Sequence, residues 1–207
     1  MNEITGLEEK IGYQFKNKQL LKTALTHSSY ANERHSPACQ SYERLEFLGD
    51  SILGIVTADF LYHHEPELPE GRMTRLRAEL VCETSLHKVA LELGISEYMR
   101  LGRGEEHTGG RQRPSILADM VEAIIAAMYI DSGMDQAGEA VLQLLIGQAH
   151  ALQSLLAEVG QEHVGPLQQL HHGLVTGGGA LVQRDEPLVQ VLHVEVGVGV
   201  GGGGGHG

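Results

Sequence analysis

The sequence predicts an all-α domain, and three observations carry that reading. Apolar residues recur at helical spacing across most of residues 16–150. No convincing run of period-two alternation occurs before residue 180. The periodic stretches are separated by helix stops: Glu65-Pro66-Glu67-Leu68-Pro69, Gly94 and Asp131-Ser132-Gly133.

The elements follow in order. A first helix spans about Lys16 to Thr26, where Leu20, Leu21, Ala24 and Leu25 keep helical spacing. A second opens at Ser41, whose hydroxyl suits an N-cap, and runs to about His64. Its apolar face holds Leu45, Leu48, Ile52, Leu53 and Val56. A third runs from about Glu70 to Leu93, with Leu76, Leu80 and Leu86 among its buried positions. Leu101 to Arg113, with Gly102, Gly104, Gly109 and Gly110, reads as a loop. Pro114-Ser115 starts a fourth helix and Asp131-Ser132-Gly133 closes it. A fifth runs from about Asp135 to Ala157.

Composition narrows the class. With 4% aromatics and no Trp, the core must be built from Leu, Ile, Val, Ala and Met. Cys39 and Cys82 are the only cysteines, which excludes a disulfide scaffold or a cysteine zinc finger and fits a reducing cytoplasm. No window approaches eighteen consecutive apolar residues and the N-terminus lacks a secretory pattern, so no membrane association is expected. A net charge of −12 argues against simple electrostatic binding of nucleic acid. Residues 151–207 hold one basic residue, Arg184, and 14 of the 27 glycines. We therefore divide the chain into a packed domain, 1–150, and a low-complexity tail, 151–207, expected to be poorly ordered from about residue 173. Val196-Gly197-Val198-Gly199-Val200 and the five glycines after it are what a GC-rich reading frame yields out of register; a natural flexible tail is the alternative.

The chemistry sits on the second and fourth helices. Glu43, Glu46 and Asp50 share one face of the second, at offsets of three and seven. Asp119 and Glu122 enter the otherwise apolar fourth helix at i and i+3. Carboxylates in such a stretch are costly to bury unless paired or metal-bound. A lone Asp-x-x-Glu is ordinarily a solvated face. Two such sets, each flanked by apolar residues, point instead to an oxygen-only site of the kind Mg²⁺ or Mn²⁺ prefers. Neither a Glu-x-x-His pair nor a His-Glu-x-x-His zinc motif occurs.

Glu43-Arg44-Leu45-Glu46-Phe47-Leu48-Gly49-Asp50-Ser51 resembles the signature segment of the ribonuclease III family. Three other segments agree in order: Leu25-Thr26-His27-Ser28-Ser29-Tyr30 with Asn32-Glu33, Glu70-Gly71 with Leu76-Arg77-Ala78, and Leu117-Ala118-Asp119-Met120-Val121-Glu122-Ala123. The resemblance covers about residues 5–150. It implies a Mg²⁺-dependent endoribonuclease, with Mn²⁺ able to substitute, that cuts double-stranded RNA to 5′-phosphate and 3′-hydroxyl ends in processing ribosomal and other structured precursors. By motif position, Glu46, Asp50, Asp119 and Glu122 are its metal ligands, Asp50 and Glu122 its catalytic pair, and Glu43 and Glu70 its supporting acids. It also implies a homodimer in which Phe47 packs across the interface; an ordinary core Phe is the alternative. Arg72, Arg75, Arg77, Arg103 and Arg111, with Arg100 and Arg113 beside them, are candidate RNA contacts, against solvated surface charge. Bacterial members usually add a basic double-stranded-RNA-binding domain, which residues 151–207 do not resemble. A non-cleaving RNA-binding protein on the same fold and a metal-binding helical protein unrelated to RNA are the alternative functions.

Overall fold

The computed structural model describes residues 3–36, 38–64 and 68–147. Their helices are α1 (Glu3–Ile11), α2 (Lys18–Ala24), α3 (Ser28–Arg34), α4 (Glu43–His64), α5 (Glu70–Leu80), α6 (Glu83–Leu93), α7 (Arg103–His107), α8 (Pro114–Ser132) and α9 (Met134–Gly147). The extended pairing among the described residues is a single parallel bridge between Thr26 and Arg100. The fold is all-α, as the periodicity requires. The last residues of the expected fifth helix, to Ala157, and the whole 151–207 tail lie outside the described residues.

The centre of the fold is α8. Ile116, Leu117, Ala118, Met120, Val121 and every residue from Ala123 to Met128 are buried. A helix apolar on nearly every side must be jacketed by others, and α2, α4, α6 and α9 pack around it. Most buried side chains form one core of Leu, Ile, Val, Ala and Met, joined by Phe15 and Tyr42. A smaller cluster joins Phe60 and Leu61 of α4 to Leu76 and Leu80 of α5.

The expected third helix is two. It breaks at Val81 and Cys82, because Leu76 and Leu80 serve the small cluster whereas Leu86, Val89, Ala90 and Leu93 serve the main core. One straight helix cannot face both. The break is stitched by the Ser85 hydroxyl, which donates to the Glu79 carbonyl at 2.7 Å and satisfies one of the open carbonyls of α5. Periodicity misses this turn because no Gly or Pro marks it. Gly94 does stop α6, in the left-handed conformation at φ 65°.

Other differences are local. Ser41 is not the N-cap of α4. The helix begins at Glu43, the carbonyl of Tyr42 accepts from the amides of Leu45 and Glu46 at 2.7 and 2.9 Å, and the Ser41 hydroxyl donates to the Glu43 carboxylate at 3.3 Å. The first expected helix is shorter, α2, capped by Asn17, whose side chain accepts from the Gln19 amide at 3.1 Å. The segment Leu101 to Arg113 is not all loop, since α7 and a 3₁₀ turn at Gly110–Gln112 lie in it. Two helices had no expectation. Short α1 buries Leu7 and Ile11, and α3 buries no residue fully, leaving no apolar stripe to read.

Candidate active site

The site is made where α4 crosses α8, and one glycine sets how closely they approach. Gly49 lies against the backbone of Glu122, and a Cβ at position 49 would overlap the Glu122 carbonyl. At that separation Glu46, three residues before Gly49, meets Asp119 and Glu122 of α8. One carboxylate oxygen from each of the three lies within 4.8 Å of the others. Asp50 is more exposed and stands outside this compact trio, yet it is the charged neighbour felt most strongly by Glu122.

The electrostatics are those of uncompensated negative charge. None of the ion pairs among the described residues reaches the cluster. Burial, and then the charges of Asp50, Asp119 and Glu46, push the Glu122 carboxyl up to about 8. Burial also raises Glu46, reinforced by Asp119, Glu43 and Asp50. Asp119 is raised by burial, and a hydrogen bond from Tyr42 opposes the rise. That bond runs from the Tyr42 hydroxyl to Asp119 Oδ2 at 3.1 Å. Smaller influences on Asp119 come from Glu83, which raises it, and His27, which lowers it. Oxygen donors crowded together with no basic partner suit a hard divalent cation, which removes the repulsion and accepts carboxylates and water alike. The donor set therefore fits Mg²⁺.

The match to known proteins covers the same elements. The model of the ribonuclease-III-like family matches residues 17–149. The chain belongs to that family. Among curated relatives, ribonuclease 3 of Listeria monocytogenes is 48% identical over 136 residues, 66% of this chain and 59% of its own length. Ribonuclease 3 of Oceanobacillus iheyensis is 50% identical over 133 residues, 64% and 58% of the two lengths. The chain thus spans a little under three fifths of these relatives. A solved nuclease domain of ribonuclease III from Campylobacter jejuni superposes with a TM-score of 0.66 at 38% identity, covering 72% of this chain and 97% of that domain. A second structure of that domain has a TM-score of 0.65 at 39% identity, covers 70% of this chain and 97% of the domain, and concerns flexibility in a region involved in its dimer formation.

Against the ribonuclease III pattern, the remaining expected residues take distinct places. Glu43 is exposed in the first turn of α4 and adds charge felt at Glu46. Glu70 is not one of the clustered carboxylates; it accepts from the Thr74 hydroxyl at 2.8 Å and lines a groove between α4 and α5. Phe47 is not a core residue, because it is 79% exposed. Arg72, Arg75 and Arg77 lie on α5 and Arg103 begins α7. Arg111 is tied to the fold: it pairs with Glu106 and donates to the carbonyl of Met99 at 3.2 Å and to that of Ser96. Arg113 pairs with Glu105. Arg100 stacks on Tyr30, its guanidinium 4.3 Å from the ring centroid.

Tyr42, His27 and Glu83 were not singled out from sequence. Tyr42 carries the one usable signal: a bulky amphipathic residue immediately before the acidic motif.

The raised carboxyls make a stability prediction. A carboxyl whose folded pKa lies above its unfolded value contributes stability that is complete below the unfolded pKa and is lost as pH rises through the folded one. For Glu122 that window runs from the ordinary 4.5 to about 8, and Glu46 and Asp119 act with the same sign. In EDTA, the melting temperature should fall as pH rises from about 5 to 8, and saturating Mg²⁺ should flatten the slope. A melting temperature that rises over this range in EDTA would contradict the uncompensated cluster.

Proposed function

We propose that the chain is an endoribonuclease that hydrolyses double-stranded RNA with the help of Mg²⁺, or Mn²⁺ in its place, leaving 5′-phosphate and 3′-hydroxyl ends. The observation that carries this reading is the trio of Glu46, Asp119 and Glu122 from two helices, close together and without a basic partner. Glu46, Asp50, Asp119 and Glu122 would hold the metal, with Asp50 and Glu122 as the catalytic pair. When bound, the cation supplies neutralisation of the phosphodiester charge and activation of water. The side chains supply charge, geometry and a partly buried setting, and no nucleophilic Ser or Cys is required. Glu43 supports the site through its charge at Glu46; Glu70 is proposed as a supporting acid on the family resemblance alone. Arg72, Arg75, Arg77, Arg103 and Arg111 are the candidate phosphate contacts, Arg111 through a side chain already braced against Glu106. The substrates are ribosomal and other structured precursors in the cytoplasm, and the catalytic unit is residues 1–150. Among the described residues no helix is long and apolar enough to cross a membrane.

The deciding experiment incubates purified protein with a long RNA duplex in Mg²⁺, in EDTA, and in EDTA followed by excess Mg²⁺. Cutting in the first and third conditions alone, with 5′-phosphate ends, supports the proposal. Duplex binding without cutting in all three supports a non-cleaving protein on the same fold.

The active form is proposed to be a homodimer formed through α4. Phe47, Ile55 and Tyr62 are all exposed, and their spacing of eight and seven residues keeps them on one helix side. Ile55 and Tyr62 also line the groove of about 390 Å³ shared with Leu61 and Met73. A two-fold interface needs a projection and a receiving surface on the same face of one chain, and α4 carries both. Phe47→Ala removes about 1.5–3 kcal/mol of apolar burial at each of two symmetric positions. The dimer Kd should rise by at least about a hundredfold in analytical ultracentrifugation. An unchanged Kd would move the interface off α4.

A further inference from the structure

We infer that Tyr42 is a positioning residue of the metal centre, its hydroxyl holding the Asp119 carboxylate in the orientation in which it ligates. This inference rests on the metal-centre reading above. Tyr42 precedes α4 and is only 4% exposed, with its ring in the main core. Its backbone is held from both sides: its amide donates to the Thr26 carbonyl at 2.8 Å, and its carbonyl takes the amides of Leu45 and Glu46. Thr26 is itself fixed, because the Arg100 amide donates to Leu25 at 2.8 Å and the His27 amide donates to Arg100 at 3.0 Å. The His27 ring lies 5.7 Å from the Tyr42 ring, and its Nδ1 is held by the Ser29 amide at 3.2 Å. The phenol is thus a donor that cannot swing away from Asp119, 77 residues along the chain.

The chemistry of the donor matters. A lysine or arginine at this position would also hold the carboxylate, but it would cancel its charge and compete with a cation. A phenol fixes one oxygen and leaves the anion. Tyr42 also stands at the head of the helix that delivers Glu46, so one residue ties the start of α4 to a carboxylate of α8. Without the hydroxyl, Asp119 is free to rotate away from Glu46 and Glu122, whose charges repel it.

The test is Tyr42→Phe in the full chain, which keeps the ring and removes one oxygen. Mn²⁺ affinity is read by electron paramagnetic resonance, beside the melting temperature in EDTA and the Mg²⁺ dependence of duplex cleavage. The expected result is about tenfold weaker Mn²⁺ binding, the low end of what loss of an outer-shell partner produces. The Mg²⁺ concentration for half-maximal cleavage should shift in parallel, with kcat at saturating Mg²⁺ largely recovered. In an Asp119→Asn background the same change should add nothing. Unchanged Mn²⁺ affinity, even with a lowered melting temperature, would reduce Tyr42 to a packing role and overturn the inference, as would full additivity with Asp119→Asn. A wild-type chain that binds no Mn²⁺ would overturn the metal centre itself, and this role with it.

Discussion

Glu122→Gln is expected to abolish cleavage of duplex RNA while making the metal-free protein more stable at alkaline pH. The two effects share one cause. Glu122 is held among Asp50, Asp119 and Glu46 in a partly buried setting that pushes its carboxyl up to about 8. The fold thus resists ionising a group that the proposed metal centre needs ionised. Glutamine keeps the shape, removes one anionic ligand and carries no charge to desolvate. We expect the rate to fall by at least about 10³-fold, since a missing metal ligand forfeits several kcal/mol of transition-state stabilisation and each 1.36 kcal/mol is tenfold. Duplex binding should be partly retained, because the arginines are untouched. Wild type loses stability as pH rises from the ordinary 4.5 to about 8, where the unfolded chain is ionised at this position and the folded one is not. The melting temperatures should therefore converge only near pH 4.5, and the variant should melt higher in EDTA by a margin that grows up to about pH 8. Cutting at the wild-type rate would remove Glu122 from the mechanism. A variant that melts lower than wild type at pH 9 in EDTA would mean that the charge is compensated in the native protein.

Gly49→Ala is expected to damage the fold and the site together. The added carbon would overlap the backbone carbonyl of Glu122, and backbone cannot rotate aside as a side chain can. Helices α4 and α8 must therefore part or slide. Overpacking of this kind costs about 3 kcal/mol, the upper part of the usual range, against a gain of about 1 kcal/mol from replacing a helical glycine. The net loss of about 2 kcal/mol corresponds to a melting temperature lower by about 4–8 °C for a domain of this size. Any separation also moves Glu46 and Asp50 away from Asp119 and Glu122, so Mn²⁺ affinity should fall as well. Gly54→Ala is the control on the same helix. Nothing lies within 4 Å of a Cβ at that position, so the variant should gain up to about 1 kcal/mol and leave metal binding unchanged. Equal effects at the two glycines would show that helix propensity, not the crossing, decides the outcome.

Much of the site was legible because its information is local. Glu43, Glu46 and Asp50 share a face of one helix, and Asp119 and Glu122 share a face of another, by spacing alone. Charged residues in the apolar run of α8 stand out against a stretch that is otherwise buried, and Gly94 marks a stop through its own conformational freedom. The turn at Cys82 was not legible, because no Gly or Pro interrupts the stretch; its only trace is that Leu80 and Leu86, six residues apart, would lie on different sides of one helix, and they do fall in different clusters. Nor was the status of Phe47, since a phenylalanine in an apolar pattern is compatible with a core or with an exposed face; the structure leaves it 79% exposed.

Spacing and motif were enough to establish an all-α domain, two helices with acidic faces, and the nine-residue segment that marks the family. Each of those depends on residues within a turn or two of one another. Packing between distant segments is what brings α4 at Gly49 onto the backbone of Glu122, lets Tyr42 reach Asp119 and ties Arg111 to Glu106. The same packing buries the carboxyls of Glu46, Asp119 and Glu122 and so raises them. Periodicity records which side of a helix avoids water. Which helix covers that side, and at what distance, depends on contacts between residues far apart in the chain, and the field at a carboxylate depends on all of them at once.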